Sequence, residues 1–441
     1  MTTFRTSAAI LALTALCGCG IFGGDGKKAT PVLGERVPVL SSESSIAADE
    51  TIASVPVTVP APVANPDWTQ SGGNAAKVMG NLALGDQLNT AWTAMIAGNS
   101  SRARLAAAPI VVNGTMYVMD TDGKVHSLDA ATGAERWTKS TATEAQQGSR
   151  VLFGGGVSYQ DGQLYATNGM GDVVAMNAED GAIVWRQKPG GPLRGAPTIA
   201  NGNVYVISQD NQLFALSQQT GEVSWNQSGS LESQGVFGVA APAAGRGSVV
   251  AGFSSGELNA YRYENGATLW GDTLSRTTIS TSVSSLADID ADPVIDDDQV
   301  FAIGEGGRMV ALDILSGRRL WEQNIAGTKT PWVAGNWIYV MSNDAKLLCI
   351  ARDSGKVRWI AQLPGYRNEK KKKDPIYWSG PVMAGSRLYV VSSRGAMTSV
   401  DPQSGTVDAM RDVGDSFSLP PVVANNMLFT LSNDGRITAF R

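Results

Sequence analysis

Side chains of the types that carry out chemistry are sparse and scattered in this sequence. The one histidine, His126, sits in the run Val125-His126-Ser127-Leu128. A lone imidazole with no carboxylate or serine partner is weak evidence for acid–base catalysis. Cysteine occurs at Cys17, Cys19 and Cys349, with no His/Cys cluster at transition-metal spacing. The nearest approach to a metal pattern is Asp288-Ile289-Asp290-Ala291-Asp292, spaced like the first ligands of a calcium loop. Pro293 replaces the glycine such a loop needs, however, and Gln299 stands in the place of its bidentate glutamate. The aspartates, with Asp296, Asp297 and Asp298 nearby, therefore read as a solvated acidic loop suited to a partner bearing Lys or Arg. Lys370 to Lys373 read as a solvated charge run. Gly154-Gly155-Gly156 lacks the Lys-Ser/Thr of a phosphate loop and reads as a turn. No catalytic residue, metal site or cofactor is expected, and a net charge of -5 gives no electrostatic case for nucleic acid.

The elements that must position these residues are copies of one unit. From Pro109 the chain turns at Asn113-Gly114, at Asp122-Gly123 and at Thr132-Gly133 before Trp137. Units recur from Val157, Pro197, Pro242, Pro293, Pro331, Pro381 and Pro421. Glycine recurs 24 residues on, from Gly133 to Gly405, and tryptophan 28 residues on, at Trp137, Trp185, Trp225, Trp270, Trp321 and Trp359. Cys349 falls where other units carry Ser or Ala, so it reads as packing. Glycine makes up about 11% of the chain, above the usual ~7%, and most of the excess serves turns. Alternation such as Val-x-Ala-Leu-Asp between turns marks short antiparallel strands. One four-stranded sheet cannot bury both faces alone, and radial stacking solves this. The fold expected is all-β, an eight-bladed β-propeller of four-stranded antiparallel blades. The last unit ends at Arg441 without its fourth strand, so the strand around Trp92 should complete it. Each tryptophan should cover a blade junction. Unit seven has Ala409 in that slot, which implies a weaker junction.

The N-terminus reads as an address. The apolar run Ala8 to Leu16 is too short to span a bilayer and suits a signal peptide over residues 1–18. Leu16-Cys17-Gly18-Cys19 resembles a bacterial lipobox. The resemblance implies cleavage before Cys19 and lipidation of its thiol. Gly20 in place of Asp implies the outer membrane. Residues 19–66 should be a flexible tether of typical span ~35–40 Å, and residues 67–441 the propeller.

The pattern Ala-Leu-Asp-x-x-Thr-Gly-x-x-x-Trp, seen near Ser127–Trp137 and Ala311–Trp321, resembles the repeat of pyrroloquinoline-quinone-type propellers. Together with the lipobox and tether, it resembles the BamB family, lipoproteins of the outer-membrane β-barrel assembly (BAM) machinery. The resemblance implies a non-catalytic scaffold on the periplasmic face. It also implies docking on the POTRA region of BamA, contact with other BAM subunits, and help in folding unfolded outer-membrane proteins. In that family one inter-blade loop carries Leu and Arg before a Gly that precedes a blade's Pro, and the adjacent loop carries Asp-x-Asp. The matching positions here are Val236 and Phe237, with Phe in the place of Arg, and Asp288 and Asp290. The alternative carried by the same repeat is a periplasmic quinoprotein enzyme or a ligand-sensing propeller.

Overall fold

The computed structural model describes residues 46–143, 146, 152–231, 238–274 and 287–441. The signal and lipobox residues, Cys19, the chain up to residue 45, and Val236 and Phe237 lie outside the described residues. Eight four-stranded antiparallel sheets make an eight-bladed propeller. From axis to rim, blade 1 runs Ile110–Val112, Thr115–Met119, Lys124–Asp129 and Glu135–Ser140. Blades 2 to 7 repeat this order. Blade 8 has Val422–Ala424, Met427–Leu431 and Arg436–Phe440, and Thr90–Met95 completes it from outside, with Trp92 opposite Ala439. The Gly154 stretch, expected as a turn, leads directly into the innermost strand of blade 2, Gly155–Gln160.

Local chemistry explains the blades. Asn113-Gly114 turns at φ +50° and +71°, the left-handed pair that a two-residue hairpin needs. Thr115–Met119 is buried at every residue because neighbouring blades cover both its faces. The outermost strands are mostly exposed apart from the tryptophan. The first turn of each blade, and the third turn of blades 1 to 7, lie at one end, the turn face. The second turn and the blade-to-blade loop lie at the other, the loop face.

The indoles tie the blades together. Trp92, Trp137, Trp185, Trp225, Trp270, Trp321 and Trp359 each donate Nε1–H to a main-chain carbonyl of the next blade at 2.7–3.2 Å. Each ring also lies against the next blade's turn glycine, from Gly133 under Trp92 to Gly405 under Trp359, where a Cβ would collide with the indole. Burying the ring while pairing its N–H satisfies both parts of the side chain. Cys349 faces Trp359 across its sheet, fully buried, and burial pushes its thiol pKa up.

Ala409 has a physical reason. The third and fourth strands of blade 8 come from opposite ends of the chain, so no turn with a glycine exists there to receive an indole. The guanidinium of Arg411 instead lies 5.2 Å from the Phe440 ring and donates to the Leu88 carbonyl.

The start of the described chain departs from expectation. Residues 46–66 are packed on the ring rather than forming part of a free tether. Asp49 N–H donates to the Val357 carbonyl, Lys356 Nζ bonds Thr51 Oγ1, Arg358 Nε bonds the Val55 carbonyl, and Val57 is buried. Residues 65–82 then circle the axis once. Asn65 pairs with Val423 and Asn425 of blade 8, Trp68 with Val111 of blade 1, and Thr69 with Tyr159 of blade 2. Gln70 meets Ile199 of blade 3, Ala75 meets Ala244 of blade 4, and Ala76 meets Ile295 of blade 5. Gly80 accepts from the Trp332 indole of blade 6, and Leu82 pairs with Met383 and Gly385 of blade 7. Eight innermost strands expose an open edge to the axis, and an unpaired edge is costly. This segment bonds to all eight blades, through the Trp332 indole in blade 6, and plugs the axis toward the turn face.

The indole contact predicts a coupled mutant pair. Trp270→Ala should cost about 3–5 kcal/mol. Gly317→Ala, at φ +67° beneath that ring, should cost about 1–3 kcal/mol. The double variant should lose less than the sum, because the added methyl no longer meets an indole. Urea unfolding of the four proteins measures this, and additivity within ~0.5 kcal/mol would rule the contact out.

Candidate functional site

The loop face gathers the approaches to blades 3, 4 and 5. Ile289 is fully buried, where it packs against Gly252 and anchors the blade 5 approach. Alternation along an extended segment then puts Asp288 and Asp290 on the side opposite Ile289. Arg194, in the approach to blade 3, is 1% exposed and reaches both carboxylates. Its Nη2 lies 3.0 Å from Asp288 Oδ1 and 3.3 Å from Asp290 Oδ1. The side chain passes Gly238, in the approach to blade 4, where a Cβ would collide with the guanidinium and with Asp290. One ionic cluster therefore fixes three inter-blade approaches.

This corrects the reading of a solvated acidic loop. Asp288 is 1% exposed, and Asp292 is also buried. Asp292 Oδ1 accepts from Ala241 N–H and its Oδ2 from Ser71 of the plug, both at 2.8 Å. Asp296, Asp297 and Asp298 lie across the innermost strand Val294–Asp296, at the turn face. There Asp296 pairs with Arg352 at 2.6 Å. The aspartates thus divide between two faces and separate partners. Among the described residues no group of carboxylates, His or Cys is arranged to hold a metal ion.

Asp290 alone of the cluster reaches open space. It lines a loop-face mouth of about 600 Å³ with Lys329, Glu305, Val239, Tyr377 and Phe417. Below lies an axial cavity of about 110 Å³ floored by Trp68, Ser71, Gly72 and Lys77 of the plug. Lys77 is 2% exposed, at φ +66°, and its Nζ donates to Thr198 Oγ1. Burial lowers its pKa to about 8, with Asp292 opposing.

The cluster holds two carboxylates against one guanidinium. Burial, and then the charge of Asp288, push the Asp290 carboxyl up to about 7, with Arg194 opposing. Burial and Asp288 also raise Glu305. Burial lowers Lys329, and Asp290 partly restores it.

Two residues escaped the sequence reading. Arg194 stands in Leu193-Arg194-Gly195, just before Pro197. That is the Leu-Arg-Gly signal itself, carried one blade earlier than the loop of Val236 and Phe237. Asp120 accepts from His126 Nε2 at 2.8 Å, while Thr138 Oγ1 lies 3.0 Å from His126 Nδ1. His126 is therefore not without a carboxylate. The same Asp120 also accepts from the N–H groups of Asp122 and Lys124, so the pair closes a hairpin turn.

Fold and repeat define the class: an eight-bladed propeller of pyrroloquinoline-quinone-type blades. The profile of the family described as outer membrane protein assembly factor BamB matches residues 146–361 and 368–441, and the chain belongs to that family. A profile described as the β-propeller domain of glucose/ethanol/alcohol dehydrogenase matches residues 85–163. BamB of Escherichia coli K12 is 28% identical over 353 residues, 79% of this chain and 87% of its own. BamB of Yersinia pestis is 27% identical over 330 residues, 74% and 82%. The crystal structure of BamB from Moraxella catarrhalis covers 80% of this chain and 100% of its own, with TM-score 0.68 at 19% identity. Quinohemoprotein alcohol dehydrogenase from Comamonas testosteroni covers 85% and 80%, with TM-score 0.64 at 15% identity. These two likenesses speak to fold alone.

The raised Asp290 carboxyl fixes a sign. Between the ordinary ~4 and about 7, the folded chain holds a proton that the unfolded chain releases. This residue's contribution to stability therefore falls as pH rises through that window. Asp290→Asn keeps the neutral form at every pH. Its melting temperature should exceed that of the parent by more at pH 8 than at pH 5. An equal difference at both, by differential scanning fluorimetry, would refute the assignment.

Proposed function

We propose that this chain is a non-catalytic scaffold of the outer-membrane β-barrel assembly machinery. It is held at the periplasmic face of the outer membrane by lipid on Cys19 after removal of residues 1–18. It docks on the POTRA region of BamA with its loop face, contacts other BAM subunits, and assists folding and insertion of outer-membrane proteins. Family membership supports the machinery, and the names of relatives as assembly factors support a non-enzymatic role. The observation that carries the docking site is the Arg194–Asp288–Asp290 cluster, which fixes three adjacent approaches on one face.

In this reading the aspartates have different jobs. Asp290, at the mouth, meets the partner. Asp288, buried with Arg194, is a positioning residue. Val236 and Phe237, just before Gly238 in the sequence, are assigned to the partner contact as well.

Asp290→Arg should lower co-purification of BamA from envelopes at least about tenfold while the propeller melts as cooperatively as the parent; such losses are typical when one partner of a buried charge pair is removed. Asp288→Asn should weaken it less, by loosening the loop. Undiminished BamA recovery with Asp290→Arg would remove this face from the interface.

A further inference from the structure

We infer that the hairpin between blades 6 and 7 is a cationic docking arm that meets an acidic surface of the polypeptide seated on the loop face. The inference rests on the docking reading above. Tyr366–Asn368 pairs antiparallel with Lys373–Pro375, Tyr366 opposite Pro375 and Asn368 opposite Lys373. Between Tyr366 and Pro375 it carries Arg367 and Lys370 to Lys373 against Glu369 and Asp374. All five cations are exposed. Among the described residues none of them forms an ion pair within the chain.

The charge run expected as a plain solvated stretch is thus an ordered, displayed element. Glu369 Oε1 accepts from the N–H groups of Gly365 and Tyr366, and Asn368 Oδ1 from Lys371 N–H. The base is clamped by Ile376 N–H to the Gly365 carbonyl and by the buried Trp378 indole to the Pro364 carbonyl. Holding like charges together on a fixed turn opposes folding through repulsion, which an acidic partner relieves.

Position selects the partner. Ile376, Tyr377 and Trp378 line the same mouth as Asp290 and Lys329. Tyr377 is 61% exposed there. A polypeptide docked over Asp290 therefore lies beside the hairpin. Continuity of the hairpin's base with the mouth of the proposed interface favours a polypeptide over a lipid surface. Exposed rim charge acts mainly on encounter, through a field that ~0.15 M salt screens within ~8 Å.

The test measures association of the full lipidated chain, in neutral detergent, with the purified POTRA region of BamA across ionic strength. K370Q/K371Q/K372Q/K373Q should reduce the association rate at low salt about tenfold and flatten its salt dependence, with the dissociation rate within about twofold. Arginine at all four positions should retain the parent rate. An unchanged rate and salt slope in the glutamine variant, with the parent binding normally, would overturn the inference and leave the docking reading intact. The inference also fails if the variant instead loses only the phosphatidylglycerol-dependent part of its binding to vesicles. No binding by the parent would overturn the docking reading, and this inference with it.

Discussion

The ring depends on one side chain reaching out of its own sheet. A four-stranded blade has two apolar faces and no core of its own, so each must be covered by a neighbour. The outer-strand indole does more than cover area, because it lies on the next blade's glycine and donates to a carbonyl in the same turn. Its contact carries both apolar burial and a directional bond, and so fixes the offset between blades as well as their contact. A glycine with positive φ is needed twice over, for the turn and for room beneath the ring. The junction between blades 7 and 8 shows the dependence by exception. The chain termini remove the receiving turn, the tryptophan is absent with it, and Arg411 takes over across the seam.

Stacking blades creates a second problem that the indoles do not solve. Eight innermost strands bring eight open edges to the axis. Residues 65–82 answer with about one contact per blade rather than a regular strand, because the edges are arranged around a circle. This separates what was legible in the sequence from what was not. The repeat register appears in the letters because each blade solves the same packing problem. The plug does not, since each of its residues meets a different blade and no periodicity results. Low aromatic content makes residues 46–66 read as part of a flexible tether. It gave no sign that single anchors such as Val57 would bind them to a core already made.

The candidate site was legible in part for a similar reason. Asp-x-Asp stood out by composition, and its place before Pro293 put it on a blade approach. Its burial did not stand out, because the compensating Arg194 lies 94 residues away along the chain. The Leu193-Arg194-Gly195 signal was present but one blade early, and adjacency around the ring, not along the chain, brings it to Asp288. His126 and Asp120 were closer to hand, since both fall in one unit and only the turn between their strands had to be followed.

A buried cluster with more carboxylate than guanidinium is a poor way to gain stability, because desolvation consumes much of the attraction. Its use here is better understood as specification. Loops between blades lack the repeating contacts of the sheets, and apolar packing alone would leave several arrangements close in energy. Arg194 must satisfy two aspartates from another approach while passing a third beside Gly238, and this leaves few arrangements for the three segments. The resulting surface is fixed by charge at its centre, while the lysine hairpin stands exposed at its rim. Such a division suits a docking face: buried charge sets the shape that is recognised, and exposed charge sets how often a partner finds it.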